Sequence, residues 1–168
     1  NPIQGLTHGV TVDNKWMEEM IEGDTEKRSI WAKVLQRRGE MGYPYIFFND
    51  NANNGAADVY KDKKHPIYAS NLCTEIMLPS NDEWSFVCVL SSINVLHYDK
   101  WKDTDAVETM IYFLDAVISE FLEKLEAYRD SDNREDRQTF LFMERAYNFA
   151  KENRALGMGV LGWHSLLQ

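Results

Sequence analysis

The sequence predicts an α/β fold. Three observations carry that reading: apolar residues recur at helical spacing in four stretches, short aromatic or β-branched runs lie between them, and Gly, Pro, Asn and Asp clusters separate the two kinds of segment. Trp16, Met17, Met20 and Ile21 predict a short amphipathic helix that stops at Gly23. Asp24 or Thr25 caps the next helix, whose apolar face is Ile30, Trp31, Val34 and Leu35, with Gly39 and Gly42 as stop signals. Tyr45 to Phe48 is an apolar run after Pro44, and it ends in an Asn- and Gly-rich loop over 49–55, so it predicts a strand. Lys61 to Lys64 predicts an exposed basic turn. Residues 68–78 read as extended. The turn-like Pro79-Ser80-Asn81-Asp82 precedes a second strand candidate over 84–89. Asp105 and Glu108 form a capping pair for the longest helix, carried by Val107, Met110, Ile111, Leu114, Val117, Ile118, Phe121, Leu122 and Leu125. Polar residues over 129–137 connect it to a last helix from Asp136 to Asn153, with Phe140, Met143, Tyr147 and Ala150 on one face.

Composition narrows the function classes. The 168 residues suit one domain able to bury a core, and 44% apolar with 27% charged residues excludes wholesale disorder. A net charge of −9 repels a phosphate backbone, which argues against a polymeric nucleic acid as partner but not against a single nucleotide in a pocket. No apolar run reaches the ~18 residues of a membrane span, and no secretory leader opens the sequence, so a cytoplasmic protein is expected. Two cysteines make no disulfide framework. His8, His65, His97 and His164 have no metal-ligand spacing with each other or with the cysteines, so no metal site is expected.

The most informative segment is Ser70-Asn71-Leu72-Cys73-Thr74-Glu75-Ile76. In an extended chain, side chains alternate between faces. Asn71, Cys73 and Glu75 then share one side, while Leu72, Thr74 and Ile76 turn toward the interior. An inert Cys with a solvated Glu is the ordinary account of such a row. Its chemistry bears on how such a Cys would act if it acts at all. A carboxylate beside a thiol opposes thiolate formation, and no Lys, Arg or His lies within four residues of Cys73. If Cys73 is functional, a neutral S–H suited to hydrogen-atom chemistry is the expectation, which leaves Glu75 free as general base and Asn71 to orient a substrate hydroxyl. Cys88 lies in the second strand candidate. If the two segments pair as a hairpin about Asn81-Asp82, the cysteines approach each other; Cys88 is then either structural or a redox partner. Gly157-Met158-Gly159-Val160-Leu161-Gly162 spells a dinucleotide fingerprint, but a helix precedes it where a strand is required, so a tight turn or close approach of chains explains the glycines better.

These residues resemble the finger-loop motif of the ribonucleotide reductase large (catalytic) subunit. Gly42-Tyr43-Pro44-Tyr45-Ile46-Phe47-Phe48, Val59-Tyr60-Lys61-Asp62-Lys63, Cys88-Val89-Leu90-Ser91-Ser92 and Asn153-Arg154-Ala155-Leu156-Gly157-Met158-Gly159-Val160 are similar to the same family, in the same order. The likeness runs from about Gly5 to the last residue, and the class with a separate radical-generating small subunit fits best. It implies an incomplete part of a ten-stranded α/β barrel, residues 1–168 forming a partial catalytic domain with the finger loop near 68–78. It further implies that Cys73 is the thiyl radical that abstracts a ribonucleotide 3′ hydrogen, Glu75 the carboxylate that takes the 3′-hydroxyl proton, Asn71 a substrate-positioning amide, and Cys88 one of two cysteines that reduce the substrate and end as a disulfide.

The implied partners are the remaining large-subunit segments, the small subunit with its metal-centred radical cofactor, a thioredoxin- or glutaredoxin-type reductant and the ribonucleotide. No cofactor is expected in this chain itself. The second reducing Cys, the substrate-phosphate loop, the relay tyrosines and the effector region of the family have no counterpart in these residues. With an opening Asn1-Pro2-Ile3 that lacks an initiator Met, this points to a piece of a longer chain or of a split gene, inactive alone and with open sheet edges. Two rival readings belong to other classes. A non-catalytic fragment that only binds partner subunits is disfavoured by the intact Asn71, Cys73 and Glu75. A stand-alone thiol oxidoreductase would need a C-x-x-C in an electropositive setting, and the sequence has neither.

Overall fold

The computed structural model describes residues 6–168; the first five residues of the expected partial domain lie outside the described residues. The chain forms two compact units, Asn1–Ser80 and Asn81–Gln168. The mixture of helices and strands agrees with the α/β expectation.

In the first unit, β1 (Gly9–Val12) pairs in parallel with β2 (Tyr45–Phe48), Gly9 opposite Tyr45 and Val12 opposite Phe48. Parallel neighbours need a crossover. Here it consists of α1 (Asn14–Glu22) and α2 (Thr25–Met41). Both helices start where a carboxylate satisfies an orphan amide. Trp16 N–H donates to Asp13 Oδ1 at 2.7 Å, and Lys27 N–H donates to Asp24 Oδ1 at 3.0 Å. Gly23 and Gly42 end the two helices at positive φ, as glycine alone does without strain. Lys27 Nζ reaches both Glu19 (2.9 Å) and Asp24 (3.0 Å), and the Trp16 and Trp31 rings meet edge-on at 6.1 Å. After β2 comes the short helix α3 (Asn49–Asn54), where a loop was expected over 49–55, and then a second, α4 (Asp58–Asp62). The reason is Asn53. Its Nδ2 donates to Asn49 O and to Ile67 O (2.8 Å), and its Oδ1 accepts from Ile67 N–H (2.8 Å). That bracket places Ile67 beside Phe47 and Ala52 in the small core of this unit.

In the second unit, Asn81 makes the expected turn, its Oδ1 accepting from the N–H groups of Glu83 and Trp84, both at 2.8 Å. The strand predicted over 84–89 lies further on. It is β3 (Val89–Asn94), followed by a 3-10 turn (Val95–His97) and α5 (Tyr98–Trp101). Residues 84–88 are drawn instead to the helical layer. Trp84 and Phe86 stand edge-on to the fully buried Phe149, and Ser85 N–H donates to Arg145 O. The long antiparallel connection is α6 (Ala106–Arg129) and α7 (Arg134–Asn153), close to the predicted bounds. Leu125, Phe140 and Tyr147 form their shared core with Phe121, Leu122 and Met143. The capping pair at Asp105 does not form; Thr104 Oγ1 accepts from Ala106 N–H instead.

The chain then enters β4 (Leu156–Leu161) and the short α8 (Trp163–Leu167). β4 pairs in parallel with β3, Val89 opposite Leu156, so no hairpin forms about Asn81-Asp82. Among the described residues, each sheet has two strands and therefore two open edges. Leu90, Val160 and Leu161 are more than half exposed. Open sheets of this kind agree with a barrel of which only part is present. No helix among the described residues is long and apolar enough to cross a membrane.

Candidate active site

The first unit positions the 70–76 loop. Gly9 and Thr11 of β1 and Tyr45 and Phe47 of β2 lie on one face of the sheet, because side chains alternate along a strand. That face, with Ser70, Asn71, Leu72 and Thr74, lines a cavity of about 240 Å³. Thr11 Oγ1 donates to Tyr68 O at 3.1 Å and so ties β1 to the chain that enters the loop. The Asn53 bracket fixes the same chain three residues before Ser70.

The loop itself is not extended. Thr74 N–H donates to Asn71 O at 3.1 Å, closing a four-residue turn with Leu72 and Cys73 at its tip. Thr74 takes φ 62°, in the left-handed region. This ends the strict alternation on which a common row for Asn71, Cys73 and Glu75 depended. Leu72, expected to face the interior, is 64% exposed. Cys73 is exposed at the tip and Glu75 on the returning limb. Asn71 is half-buried, and its Oδ1 accepts from Ile76 N–H at 3.1 Å. Ser70 Oγ–H donates to Ile76 O at 2.8 Å. The turn thus presents a thiol and a carboxylate to solvent, with the amide beneath them.

Tyr45 is a neighbour that the sequence did not single out. Its ring meets Tyr43 edge-on at 5.3 Å. Partial burial and the adjacent Tyr43 hydroxyl hold its phenol above the ordinary range, and the negative charge that Cys73 carries when ionised acts in the same direction. The apolar run of β2 marked Tyr45 as a strand residue and gave no sign of its place beside the loop.

Cys88 belongs to the second unit, directly before β3. It is half-buried, and burial pushes its thiol up from the ordinary value. Gly157 of β4 lies beside it. A Cβ there would stand 3.3 Å from Cys88 Sγ and would collide with Leu90 Cδ2. A Cβ at Gly159 would stand 2.9 Å from Ser92 Oγ. The glycines of the fingerprint-like run therefore serve close approach of two strands, as the sequence reading preferred. Arg154, to which the sequence reading gave no role of its own within the family-like segment 153–160, anchors the start of β4. Its Nε donates to Asp115 Oδ1 (2.8 Å), and its Nη2 donates to Asp115 O (3.0 Å) and Ser119 Oγ (2.9 Å). Among the described residues, no group of three or more His, Cys, Asp or Glu could hold a metal ion.

An α/β chain with parallel pairs joined by helical crossovers, an exposed Cys on a closed turn and a second Cys at a strand entrance defines a thiol-bearing α/β segment with open parallel sheets. The comparisons with known proteins name it. Residues 8–168 match the family described as ribonucleotide reductase, barrel domain. The chain is similar to the class Id ribonucleotide reductase alpha subunit of Actinobacillus ureae, with 55% identity, a TM-score of 0.81, and coverage of 99% of this chain and 30% of that one. It is 33% identical over 178 residues to a Frog virus 3 protein assigned as a ribonucleoside-diphosphate reductase large subunit, covering 97% of this chain and 30% of that protein. It is 29% identical to the large subunit of Invertebrate iridescent virus 3, covering 97% of this chain and 25% of that protein. The chain belongs to the ribonucleotide reductase barrel-domain family and corresponds to a segment of the large subunit. It spans a third or less of the length of these relatives.

Proposed function

We propose that this segment carries the radical site of a ribonucleoside-diphosphate reductase catalytic subunit and reduces ribonucleotides once assembled with the rest of that subunit. One observation carries the reading: a barrel-family chain presents Cys73, without a basic neighbour in sequence, at the exposed tip of a hydrogen-bonded turn. A metal-centred radical cofactor held by a separate small subunit would supply the one-electron oxidation of Cys73.

The Cys73 thiyl removes the 3′ hydrogen atom, breaking C3′–H and forming S–H. Glu75 accepts the 3′-hydroxyl proton, and Asn71 holds the substrate hydroxyl through its amide. The 2′ oxygen leaves as water. Cys88 and a second Cys from another segment provide the two electrons and two protons for that step and end as a disulfide. Cys73 S–H returns its hydrogen atom to C3′ and becomes the thiyl again, and Glu75 returns the proton to the 3′ oxygen. A cytoplasmic dithiol of the thioredoxin or glutaredoxin type restores the two thiols. The chain by itself is inactive, because the second Cys and the substrate-phosphate contacts lie on other segments.

The test is reduction of a ribonucleotide by the full catalytic subunit together with its small subunit. Cys73→Ala abolishes turnover; retained turnover overturns the radical assignment. Cys88→Ser stops repeated turnover with a dithiol reductant; unaffected turnover makes Cys88 structural.

A further inference from the structure

We infer that Ser70 is a positioning residue for this chemistry: its hydroxyl closes the neck of the 70–76 loop and so fixes where Cys73 and Glu75 are presented. The inference rests on the radical-site reading above. The loop leaves the body of the unit at Ser70 and returns at Ile76. Both peptide polar groups of Ile76 are held by side chains of the departing limb. Ile76 O accepts from Ser70 Oγ–H at 2.8 Å, and Ile76 N–H donates to Asn71 Oδ1 at 3.1 Å. Ser70 Oγ also lies 3.4 Å from Asn71 Oδ1, so the two side chains form one clasp.

Beyond the clasp, the tip has little of its own to hold it. Among the described residues, Leu72, Cys73 and Glu75 are exposed, and a single backbone bond, from Thr74 N–H to Asn71 O, closes the turn. The position of the Cys73 sulfur therefore follows the neck. Hydrogen-atom transfer needs the reacting atoms in near-attack geometry, where a misplacement of about 1 Å costs about a hundredfold in rate. The clasp also divides the labour of Asn71. Its oxygen is committed to Ile76 N–H, which leaves the Nδ2 hydrogens as the donors that meet a substrate hydroxyl.

Thr and Val have the same shape and differ in the hydroxyl, so the pair Ser70→Thr and Ser70→Val isolates it. The full catalytic subunit with its small subunit is assayed for kcat and KM, and amide hydrogen exchange is followed at Ile76, with Phe47 in the core as the folding control. Ser70→Val is expected to lower kcat by about ten- to a hundredfold with KM within about twofold, and to speed exchange at Ile76 but not at Phe47. Ser70→Thr is expected to stay close to the parent in both. Wild-type kcat in Ser70→Val overturns the role, even if Ile76 exchanges faster. So does an equal loss in the Thr and Val variants, which would assign the effect to bulk. A parent enzyme that reduces no ribonucleotide sinks the radical-site reading itself, and that control separates the two failures.

Discussion

The sulfur of Cys88 faces the bare backbone of Gly157 on the neighbouring parallel strand, 3.3 Å from where a side chain would begin. Of the contacts that a Cβ would make there, the hardest is with the far end of Leu90, which is 56% exposed and has room to turn away. Cys88 would have to yield only a few tenths of an ångström. Gly157→Ala is therefore expected to change stability by no more than about 1 kcal/mol, because the crowding is offset by the lower backbone entropy cost of Ala in a strand. It should also slow alkylation of Cys88 several-fold. Urea denaturation and iodoacetamide labelling read the two effects; a loss well above that figure would mean that Leu90 is fixed.

Gly162 is the contrasting case. It sits at φ 75°, and a Cβ would stand 2.6 Å from Asn94 Oδ1 and 3.3 Å from the backbone N of Leu96. Asn94 Oδ1 cannot withdraw freely, since it accepts from Leu96 N–H at 3.0 Å. Gly162→Ala is expected to cost about 2–4 kcal/mol, the left-handed penalty and the overpacking acting together. A variant as stable as its parent in urea would show that this turn relaxes.

Burial holds the Cys88 thiol above its ordinary value, so its thiolate is scarcer at any given pH than that of a free Cys. Alkylation of Cys88 in the folded protein should rise through a midpoint above the usual thiol range, and fall back to the usual range in urea. The sign for stability follows. A folded value raised above the unfolded one means that stability is intact at neutral pH and is lost as the pH climbs through the folded value. A labelling midpoint at or below that of the unfolded protein would contradict the buried setting.

Arg154 combines two opposed effects at one position. Its guanidinium makes three bonds to Asp115 and Ser119, yet its backbone is left-handed at φ 43°. Arg154→Ala loses the bonds and keeps the backbone penalty. Arg154→Gly loses the bonds and relieves it. The expected order of stability is Arg, then Gly, then Ala, with Ala about 1 kcal/mol below Gly. Ala equal to or above Gly in chemical denaturation would mean that residue 154 leaves the left-handed region when the side chain is removed.

Asn53→Asp tests the bracket on Ile67. The carboxylate still accepts from Ile67 N–H, but it offers no hydrogen to Ile67 O or Asn49 O and sets negative charge against both. A loss of about 1–3 kcal/mol is expected, and Asn53→Ala should lose a comparable amount. Thermal melting of both variants checks this; an unchanged Tm would remove Asn53 from the account of how the loop is approached.

The four longer helices, α1, α2, α6 and α7, were legible because their signals are local. Asp24, Gly23 and Gly42 act within one turn of the residues they organise, and the apolar faces of α6 and α7 repeat long enough to be read. β2 was legible through its flanks, Pro44 and the Asn run. Its partner β1 was not: it has four residues, starts at a Gly, and finds its neighbour across two helices. β4 was hidden by the very glycines that let it approach Leu90, Cys88 and Ser92. The Asn-rich α3 looked like a loop because Asn is a turn former, and only the distant Ile67 turns Asn53 into a brace. At the site, the chemistry-bearing residue types were readable but their arrangement was not. A period-two pattern says nothing of the left-handed Thr74 that bends it, although the Ser-Asn pair at 70–71 was a turn signal in plain sight.

The clasp spans only from residue 70 to residue 76. Closing so short a segment restricts few backbone rotations, and its partners meet without waiting for distant strands to find each other. The shape of the tip is thus written in seven consecutive residues, while its location is set by β1, β2 and the Asn53 bracket. Conformation and address are separately inherited. Substitutions in the surrounding unit should shift the tip as a whole and leave its outline intact, and the heptapeptide should keep that outline when grafted between two suitably spaced limbs of an unrelated scaffold.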